Sequence, residues 1–238
     1  MGRTRIYAVV VACLALVFGV VGAGIAWAPI EIPPTLNDET RTIPLDGSIR
    51  SVVVRTDLGE IIVGSGSKHL IRVRETWNYS RPTVTHTLKN GVLTVQGECP
   101  NDPTSWNRCS TDLTVVVPSA VTVDAFSNFG DITTKALRGN EKLASDFGEL
   151  RALGVSAATM TADTDYGEVV LDLVSAPTKA SAISNFGDIS VKVPAGTYAV
   201  DAKTDFGDVS VKGIDTDKDA PRRITGHSDY GDVAVARR

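Results

Sequence analysis

Acidic side chains recur at one position of the sequence and are the first residues that could do chemistry. Each follows a glycine, and the spacing is 18 to 24 residues, at Asp131, Glu149, Glu168, Asp188, Asp208 and Asp232. Converging carboxylates could bind Ca²⁺, and paired carboxylates could cleave a glycosidic bond as acid and base. However, mixing Asp with Glu spoils a fixed ligand distance, and identical groups provide no distinct acid and base. The pattern therefore favours a solvated acidic stripe, with cation binding and glycoside cleavage as alternatives.

Two cysteines bracket a loop that is rich in turn-forming residues. Cys99 and Cys109 are ten positions apart and enclose two prolines, two asparagines and an aspartate. In an oxidising compartment this spacing predicts a disulfide that closes the loop. A metal pair is the alternative, but the further histidine or cysteine ligands of a zinc site are missing from the sequence nearby. We expect no metal site and no cofactor.

The acidic residues belong to a repeat that dominates the sequence. Its consensus is Ser/Thr, Asn/Asp, Phe/Tyr, Gly, Asp/Glu and an aliphatic residue, and its glycines are spaced by 18, 19, 20, 20 and 24 residues. A degraded seventh copy lies at Thr56–Ile61. The aromatic–glycine pairs are Phe129-Gly130, Phe147-Gly148, Tyr166-Gly167, Phe186-Gly187, Phe206-Gly207 and Tyr230-Gly231.

The residues on both sides of each glycine alternate between apolar and polar types. Val169, Leu171 and Leu173 illustrate the period of two that is typical of a strand with one buried face. Two short strands joined at an aromatic–glycine corner use up most of a 20-residue unit, which leaves no room for a helix. The sequence therefore predicts an all-β, single-stack β-helix, or β-solenoid, with coils of about 20 residues.

The tolerated substitutions predict a role for each corner position. Asn or Asp at the second position would accept a backbone N–H in an Asx-turn. Phe or Tyr at the third would stack from unit to unit at the strand spacing of about 4.8 Å. The invariant glycine indicates either positive φ or a close approach of two backbones.

A hydrophobic segment precedes the repeats. Residues 6–28 carry no charge over 23 positions and follow Arg3 and Arg5, which predicts a transmembrane signal-anchor helix with residues 1–5 in the cytoplasm. A cleaved signal peptide is the alternative, with candidate cleavage sites ending at Ala23 and Ala28. Lipidation of Cys13 is disfavoured by the bulky residues after it. Each of these interpretations places the rest of the chain outside the cell.

The exported part divides into three predicted regions. Residues 29–44 form a proline-containing stalk, and residues 45–238 form the extracellular β-solenoid. Within it, residues 45–119 supply irregular first coils, including a hairpin at Asn90-Gly91 and the disulfide loop, and residues 120–238 supply the regular repeats. The irregular coils could close one end of the stack.

The sequence resembles an adhesin-like β-strand-repeat family, a domain of unknown function common in Gram-positive bacteria, especially actinobacteria. The resemblance covers residues 45–238 and rests on the hydrophobic anchor, on Arg81–Val84 before the cysteine loop, on Asp112–Pro118 and on the Gly-Asp-Ile/Val corners. It implies a single-stack β-helix anchored at the cell surface, and it implies no site residue. The family's corner is often a small residue followed by Gly-Asp, so Phe or Tyr there is a departure.

Composition and motifs narrow the function classes. The chain has 24 basic and 28 acidic residues, which does not suggest a nucleic-acid binder, and a hydrophobic content of 42% excludes a disordered chain. The three histidines are scattered, and no nucleophile or zinc motif is present. We therefore expect a non-catalytic, adhesin-like surface module anchored in the membrane, with a cell-wall glycan or an envelope protein as partner. A carbohydrate-active β-helix enzyme and an envelope-stress accessory protein acting through a membrane partner are the alternatives. The sequence leaves the oligomeric state open.

Overall fold

The computed structural model describes residues 35–100 and 108–238. In these ranges the regular elements are all strands, numbered in chain order, and they form two ten-stranded sheets. Sheet 1 contains, in spatial order, β1 (Asn37–Pro44), β4 (Leu70–Trp77), β7 (Cys109–Val117), β3 (Ile61–Ser65), β9 (Ile132–Lys135), β11 (Leu150–Val155), β13 (Val169–Leu173), β15 (Ile189–Val193), β20 (Val233–Arg237) and β17 (Val209–Lys212). Sheet 2 contains β18 (Asp215–Thr216), β16 (Thr197–Phe206), β19 (Arg223–Tyr230), β14 (Lys179–Phe186), β12 (Thr159–Tyr166), β10 (Glu141–Phe147), β8 (Thr122–Phe129), β2 (Ser51–Leu58), β6 (Val92–Glu98) and β5 (Thr83–Lys89).

Each repeat contributes one strand to each sheet. The strand before the glycine lies in sheet 2 and the strand after it lies in sheet 1, as in the unit formed by β12 and β13. Neighbouring units pair in parallel, with like positions opposite one another: Phe147 pairs with Phe129 on one side and with Tyr166 on the other. The structure therefore confirms an all-β fold with two large, mostly parallel sheets.

The core lies between the two sheets. Val169, Leu171 and Leu173 alternate with partly exposed residues and are fully buried, as the period of two predicts. The same inward positions in other units hold mostly valine, isoleucine, leucine and alanine. Burial of apolar area at about 25 cal/mol per Å² is the main force that holds the units together.

The spatial order of the units differs from their order in the sequence. The predicted stack follows the chain, but the last unit, β19 and β20, lies between β14/β15 and β16/β17. At the other end, β2 and β3 lie between β6/β7 and β8/β9. Parallel strands with the same repeat can pair in register in any order, so the pairing chemistry does not impose the chain order. The longest glycine spacing, 24 residues, includes β18 and the loop that returns to the inner position.

Antiparallel strands end the stack on the N-terminal side. β1 pairs with β4, β4 with β7, and β5 with β6, all antiparallel. Asn90 and Gly91 have φ angles of 52° and 78°, which confirms the predicted hairpin turn. β1 lies inside the segment 29–44 that the sequence assigned to a stalk, so part of this segment belongs to sheet 1.

The predicted anchor cannot be compared with the structure. The cytoplasmic tail 1–5, the hydrophobic segment 6–28 and Cys13 lie outside the described residues. Across residues 35–100 and 108–238, no helix has the length and hydropathy needed to cross a membrane.

Candidate functional site

Six aromatic rings form a continuous stack along the corner where the chain passes from sheet 2 to sheet 1. We call this set the ring column; its members, in spatial order, are Phe129, Phe147, Tyr166, Phe186, Tyr230 and Phe206. Adjacent ring centroids are 4.7–4.9 Å apart, and adjacent ring planes differ by 1–6°. The predicted stacking is confirmed, and five such spacings make the column about 24 Å long.

The ring column is exposed to solvent. Phe129, Phe147, Tyr166, Phe186 and Tyr230 are 44–51% exposed, and Phe206 at the end of the stack is 64% exposed. Because each inner ring has a neighbour on both faces, solvent reaches mainly the ring edges. In a strand with strict alternation, the aromatic residue would point inward, like the buried Ser or Thr two residues before it. The chain instead bends at the corner, and the ring points outward. The result is a long apolar stripe on the surface.

The glycine after each ring permits the close stacking. A Cβ atom on Gly167 would lie 2.1 Å from the carbonyl oxygen of Gly148, and one on Gly187 would lie 2.0 Å from that of Gly167. Gly167 also has a φ of +154°, which L-residues rarely adopt. Both reasons that the sequence offered for an invariant glycine therefore hold at Gly167.

The Ser or Thr two residues before each ring links neighbouring units on the buried side of the corner. The Ser184 hydroxyl donates to the Gly167 carbonyl oxygen at 2.9 Å, and the Thr164 hydroxyl donates to that of Gly148 at 3.0 Å. Ser184 and Thr164 are buried. Ser127, Ser145, Thr204 and Ser228 make the equivalent bond at 2.8–3.4 Å. These hydroxyls give the partly buried glycine carbonyls of the corner a hydrogen-bond partner.

The acidic residues that follow the glycines lie beside the ring column, and we call this set the acidic column. Several of its members bond to the next unit. Asp131 accepts a hydrogen bond from the Glu149 backbone N–H, and Asp188 accepts one from that of Asp232, both at 2.8 Å. Asp232 in turn accepts one from the Asp208 N–H at 2.8 Å. The three aspartates thus take over a backbone linking role, which sequence reasoning did not foresee. Within residues 35–100 and 108–238, no group of three or more His, Cys, Asp or Glu side chains is placed to hold a metal ion.

The two glutamates of the acidic column have different electrostatic environments. Arg151 forms ion pairs with the carboxylates of both Glu149 and Glu168. Partial burial is the largest single influence on Glu149 and raises its pKa, but the Arg151 hydrogen bond, the Glu168 carboxyl and the positive charge of Arg151 together outweigh burial and lower that pKa. The neighbouring Glu149 carboxyl, and then burial, raise the pKa of Glu168. Arg151 therefore compensates part of the negative charge in the middle of the column.

A second column of polar residues lies on the other side of the rings. It contains Asp57, Asn128, Asp146, Asp165, Asn185, Asp229 and Asp205. The hydrogen bonds that the structure shows here run between units: the Asn185 amide donates to Asp165 at 2.9 Å, and Asp57 accepts from the Cys99 N–H at 3.1 Å. At Asp57, Asp165 and Asn185, contacts along the stack thus take the place of the predicted Asx-turn. The ring column consequently lies between two columns that are rich in carboxylates.

The disulfide lies at the N-terminal end of the ring column. Cys99 and Cys109 are bonded, with a Cα–Cα distance of 5.8 Å, which confirms the predicted pair. Leu58 covers the end of the column beyond Phe129, because it pairs with Phe129 in the register. A cleft of about 530 Å³ opens here and is lined by Asp57, Leu58, Glu98, Cys99, Pro100, Asn128 and Phe129.

One functional group in the core was not recognised from the sequence. Glu141 is 3% exposed, and one of its carboxylate oxygens accepts a 2.6 Å hydrogen bond from Thr134 across the core. The other oxygen, Oε1, is buried without a hydrogen-bond partner. Burial raises the pKa of Glu141 to about 7, and the Thr134 hydrogen bond opposes this only in part.

Comparisons with known proteins find partial similarity to several solved structures. A proposed cell adhesion protein from Clostridium sporogenes has 10% identity and a TM-score of 0.45, over 86% of this chain and 100% of the other. A proposed adhesin from Bacteroides fragilis has 12% identity and a TM-score of 0.48, over 86% of this chain and 99% of the other. A proposed lipid-binding protein from Parabacteroides distasonis has 13% identity and a TM-score of 0.34, over 85% of this chain and 97% of the other. No protein-family model and no curated protein matches the chain. At these scores neither a site residue nor an activity is transferred.

Proposed function

We propose that the chain is a membrane-anchored, extracellular β-solenoid that acts as a non-catalytic binding module, with the ring column as its binding surface. In this proposal the two sheets are two faces of one stack, and residues 6–28 anchor it. The carrying observation is that all six rings are 44–64% exposed in one continuous stripe. A column needed only for packing would be covered, since exposed apolar patches of this kind mark interaction sites.

The geometry of the rings favours a polypeptide over a neutral glycan. Sugars bind aromatic residues through the ring faces. In the ring column, Phe206 alone has an uncovered outer face, and the faces of the other five rings are covered by Leu58 or by stacked neighbours. What remains accessible is a row of ring edges between two carboxylate-rich columns. The aliphatic stems of Lys and Arg can pack on such edges while their charged ends pair with the carboxylates. A basic, partly apolar segment of an envelope protein fits this surface best.

The acidic column is less suited to catalysis. Glu149 and Glu168 share one cation, because Arg151 forms an ion pair with each of them. Glycosidases that retain configuration separate their carboxyl groups by about 5–5.5 Å, and inverting enzymes by more, so that a sugar or a water fits between them. The Arg151 guanidinium lies within ion-pair distance of both carboxylates and occupies this space, so we propose no enzymatic activity.

A binding experiment tests the proposal with defined probes. The full chain in detergent would be titrated with a fluorescent peptide of alternating Lys and Val, and separately with a neutral chitin oligosaccharide. We expect micromolar peptide binding that weakens with salt, and weaker binding of the sugar. Replacing Phe147, Tyr166 and Phe186 together with leucine should reduce peptide affinity at least tenfold.

Two controls make the result specific to the ring column. Tyr79 is a 51% exposed aromatic residue outside the column, and Tyr79→Leu should leave the affinity unchanged. Changing Asp146, Asp165 and Asp205 to asparagine should weaken binding and flatten its salt dependence. Equal binding by the parent chain and the triple leucine variant would contradict the proposal.

A further inference from the structure

The C-terminal end of the stack is open. In the described part of the chain, β17 is the outermost strand of sheet 1 and pairs with β20 on one side only. Val209 and Val211 of β17 are 47% and 39% exposed, whereas their register partners in β20, Val233 and Val235, are fully buried. The inward valine column therefore ends in solvent, beside an edge strand whose outer side is uncovered.

The adjacent strand of sheet 2 is open over most of its length. β18 pairs with β16 only through Thr197 and Tyr198. From Ala199 to Phe206, β16 is paired with β19 on its inner side. At its end, Phe206 is the most exposed ring of the ring column, at 64%. An edge with exposed apolar side chains and unpaired backbone groups is a template for another strand.

The sequence of the open edge is complementary to itself. It reads Asp208-Val209-Ser210-Val211-Lys212. When two copies run antiparallel about Ser210, each Asp208 faces a Lys212 of the other copy and each Val209 faces a Val211. Opposite charges and β-branched pairs stabilise antiparallel strands. A two-fold symmetric contact satisfies both charge pairs at once.

Among the described residues, the N-terminal end of sheet 1 presents a different surface. The outer strand of this sheet, β1, is rich in charged residues, which bond to the adjoining segment: Arg41 pairs with Glu75 at 2.9 Å, and Arg81 pairs with Glu39 at 3.0 Å. β1 runs antiparallel to its neighbour, unlike the parallel units of the stack. A head-to-tail contact would bring this charged strand against the apolar open edge, so the favourable contact joins two open ends.

We propose that the occupant of the open end is a second copy of this chain, paired antiparallel along β17 in a two-fold dimer. The contact places the Ser210 residues of the two copies opposite each other, at a Cα distance of about 4.5–5.5 Å. It extends sheet 1 across both copies and removes the exposed edge. This inference does not depend on the ring column being a binding surface.

Cysteine cross-linking of the full chain in native membranes tests the contact. Ser210→Cys would be compared with Ser190→Cys, both in a Cys13→Ser background so that the hydrophobic segment cannot cross-link. Ser190 is the matched control because Ser190 and Ser210 pair with Ala234 from its two sides, but Ser190 lies on an inner strand. Mild oxidation should give a covalent dimer with Ser210→Cys and at most a tenth as much with Ser190→Cys.

A charge exchange tests the register independently. Asp208→Lys places two lysines opposite each other at both ends of the contact and should reduce the cross-linked fraction at least fivefold. The double variant Asp208→Lys with Lys212→Asp restores opposite charges and should recover the parent yield. Equal yields for Ser210→Cys and Ser190→Cys, or failure of the double variant to recover, would overturn the proposal.

Discussion

The two sides of a single corner teach different things about the repeat. On the buried side, glycine and Ser/Thr connect each unit to the next through a backbone contact and a hydroxyl–carbonyl bond. On the exposed side, the rings stack but stay 44–64% accessible. Stability explains the residue types on the buried side, whereas a stripe of six exposed rings costs solubility and calls for a second reason. The difference therefore separates what maintains the stack from what the stack presents.

The largest effect is expected on the buried side, at Gly167. In Gly167→Ala the new Cβ would lie 2.1 Å from the Gly148 carbonyl oxygen, at a φ of +154°. Because backbone rather than a flexible side chain must move, we expect a loss of about 3 kcal/mol or more in the free energy of unfolding. Urea denaturation followed by circular dichroism measures it.

Gly64→Ala is the matched control for this prediction. Its Cβ would meet nothing closer than 3.9 Å, and its φ is outside the left-handed region. We expect a change within about 0.5 kcal/mol. If both alanine variants unfold at the same urea concentration, the close contact between glycines does not limit stability.

Glu141 breaks the apolar pattern of the buried side and should make stability depend on pH. Its folded pKa, about 7, is above the value of 4.5 for an unperturbed glutamate, so the folded state binds its proton more tightly. This contribution is complete below pH 4.5 and is lost as the pH rises through 7, up to about 3 kcal/mol by pH 8. Glu141→Gln should unfold with a weaker pH dependence between pH 5 and 8.

The contribution of Glu141 is measured by the difference in stability between the parent chain and Glu141→Gln at each pH, rather than by either pH curve alone. The raised pKa values of Glu168 and Asp163 act in the same direction, and the lowered pKa of Glu149 acts in the opposite direction. These groups are present in both proteins and cancel in the difference. Parallel stability curves for parent and variant would show that Glu141 is not protonated preferentially on folding.

A smaller effect is expected from the buried Ser and Thr hydroxyls that lie two residues before each ring. Ser184→Ala removes the 2.9 Å hydrogen bond to the Gly167 carbonyl, and Ser184 is fully buried. The loss should be about 1 kcal/mol, the typical net contribution of one intramolecular hydrogen bond. Ser190→Ala, at a half-buried outward position, should change stability by less than about 0.5 kcal/mol. Equal losses would indicate that side-chain packing, not the hydrogen bond, is responsible.

The sequence predicted the corner well because each position repeats against a fixed reference, the glycine. Counting seven residues back from Gly148 also aligns Glu141 with Val123 and Met160, its neighbours in the sheet. That count could have identified Glu141 as a buried carboxyl.

Two features of the structure had no comparable signal in the sequence: the spatial order of the units and the exposure of the rings. The order of the units was not predictable from pairing, because parallel strands with one register are interchangeable, and only the 24-residue spacing before Gly231 marks the exchange. The exposure of the rings depends on the bend at the corner, which the strand period does not encode.

On the exposed side, the effect on stability should be no larger than that of Ser184→Ala. Phe147 stacks on two rings and Phe206 on one. Stacked pairs contribute about 0.5–1.5 kcal/mol each, and leucine keeps part of the contact. We therefore expect Phe147→Leu to lose about 1 kcal/mol and Phe206→Leu about half of that, measured by the same urea unfolding.

If the rings serve binding, Phe147→Leu should weaken the peptide affinity more than Ser184→Ala does at similar stability. Equal affinities for those two variants would show that the exposed rings, like the buried hydroxyls, serve only the stack.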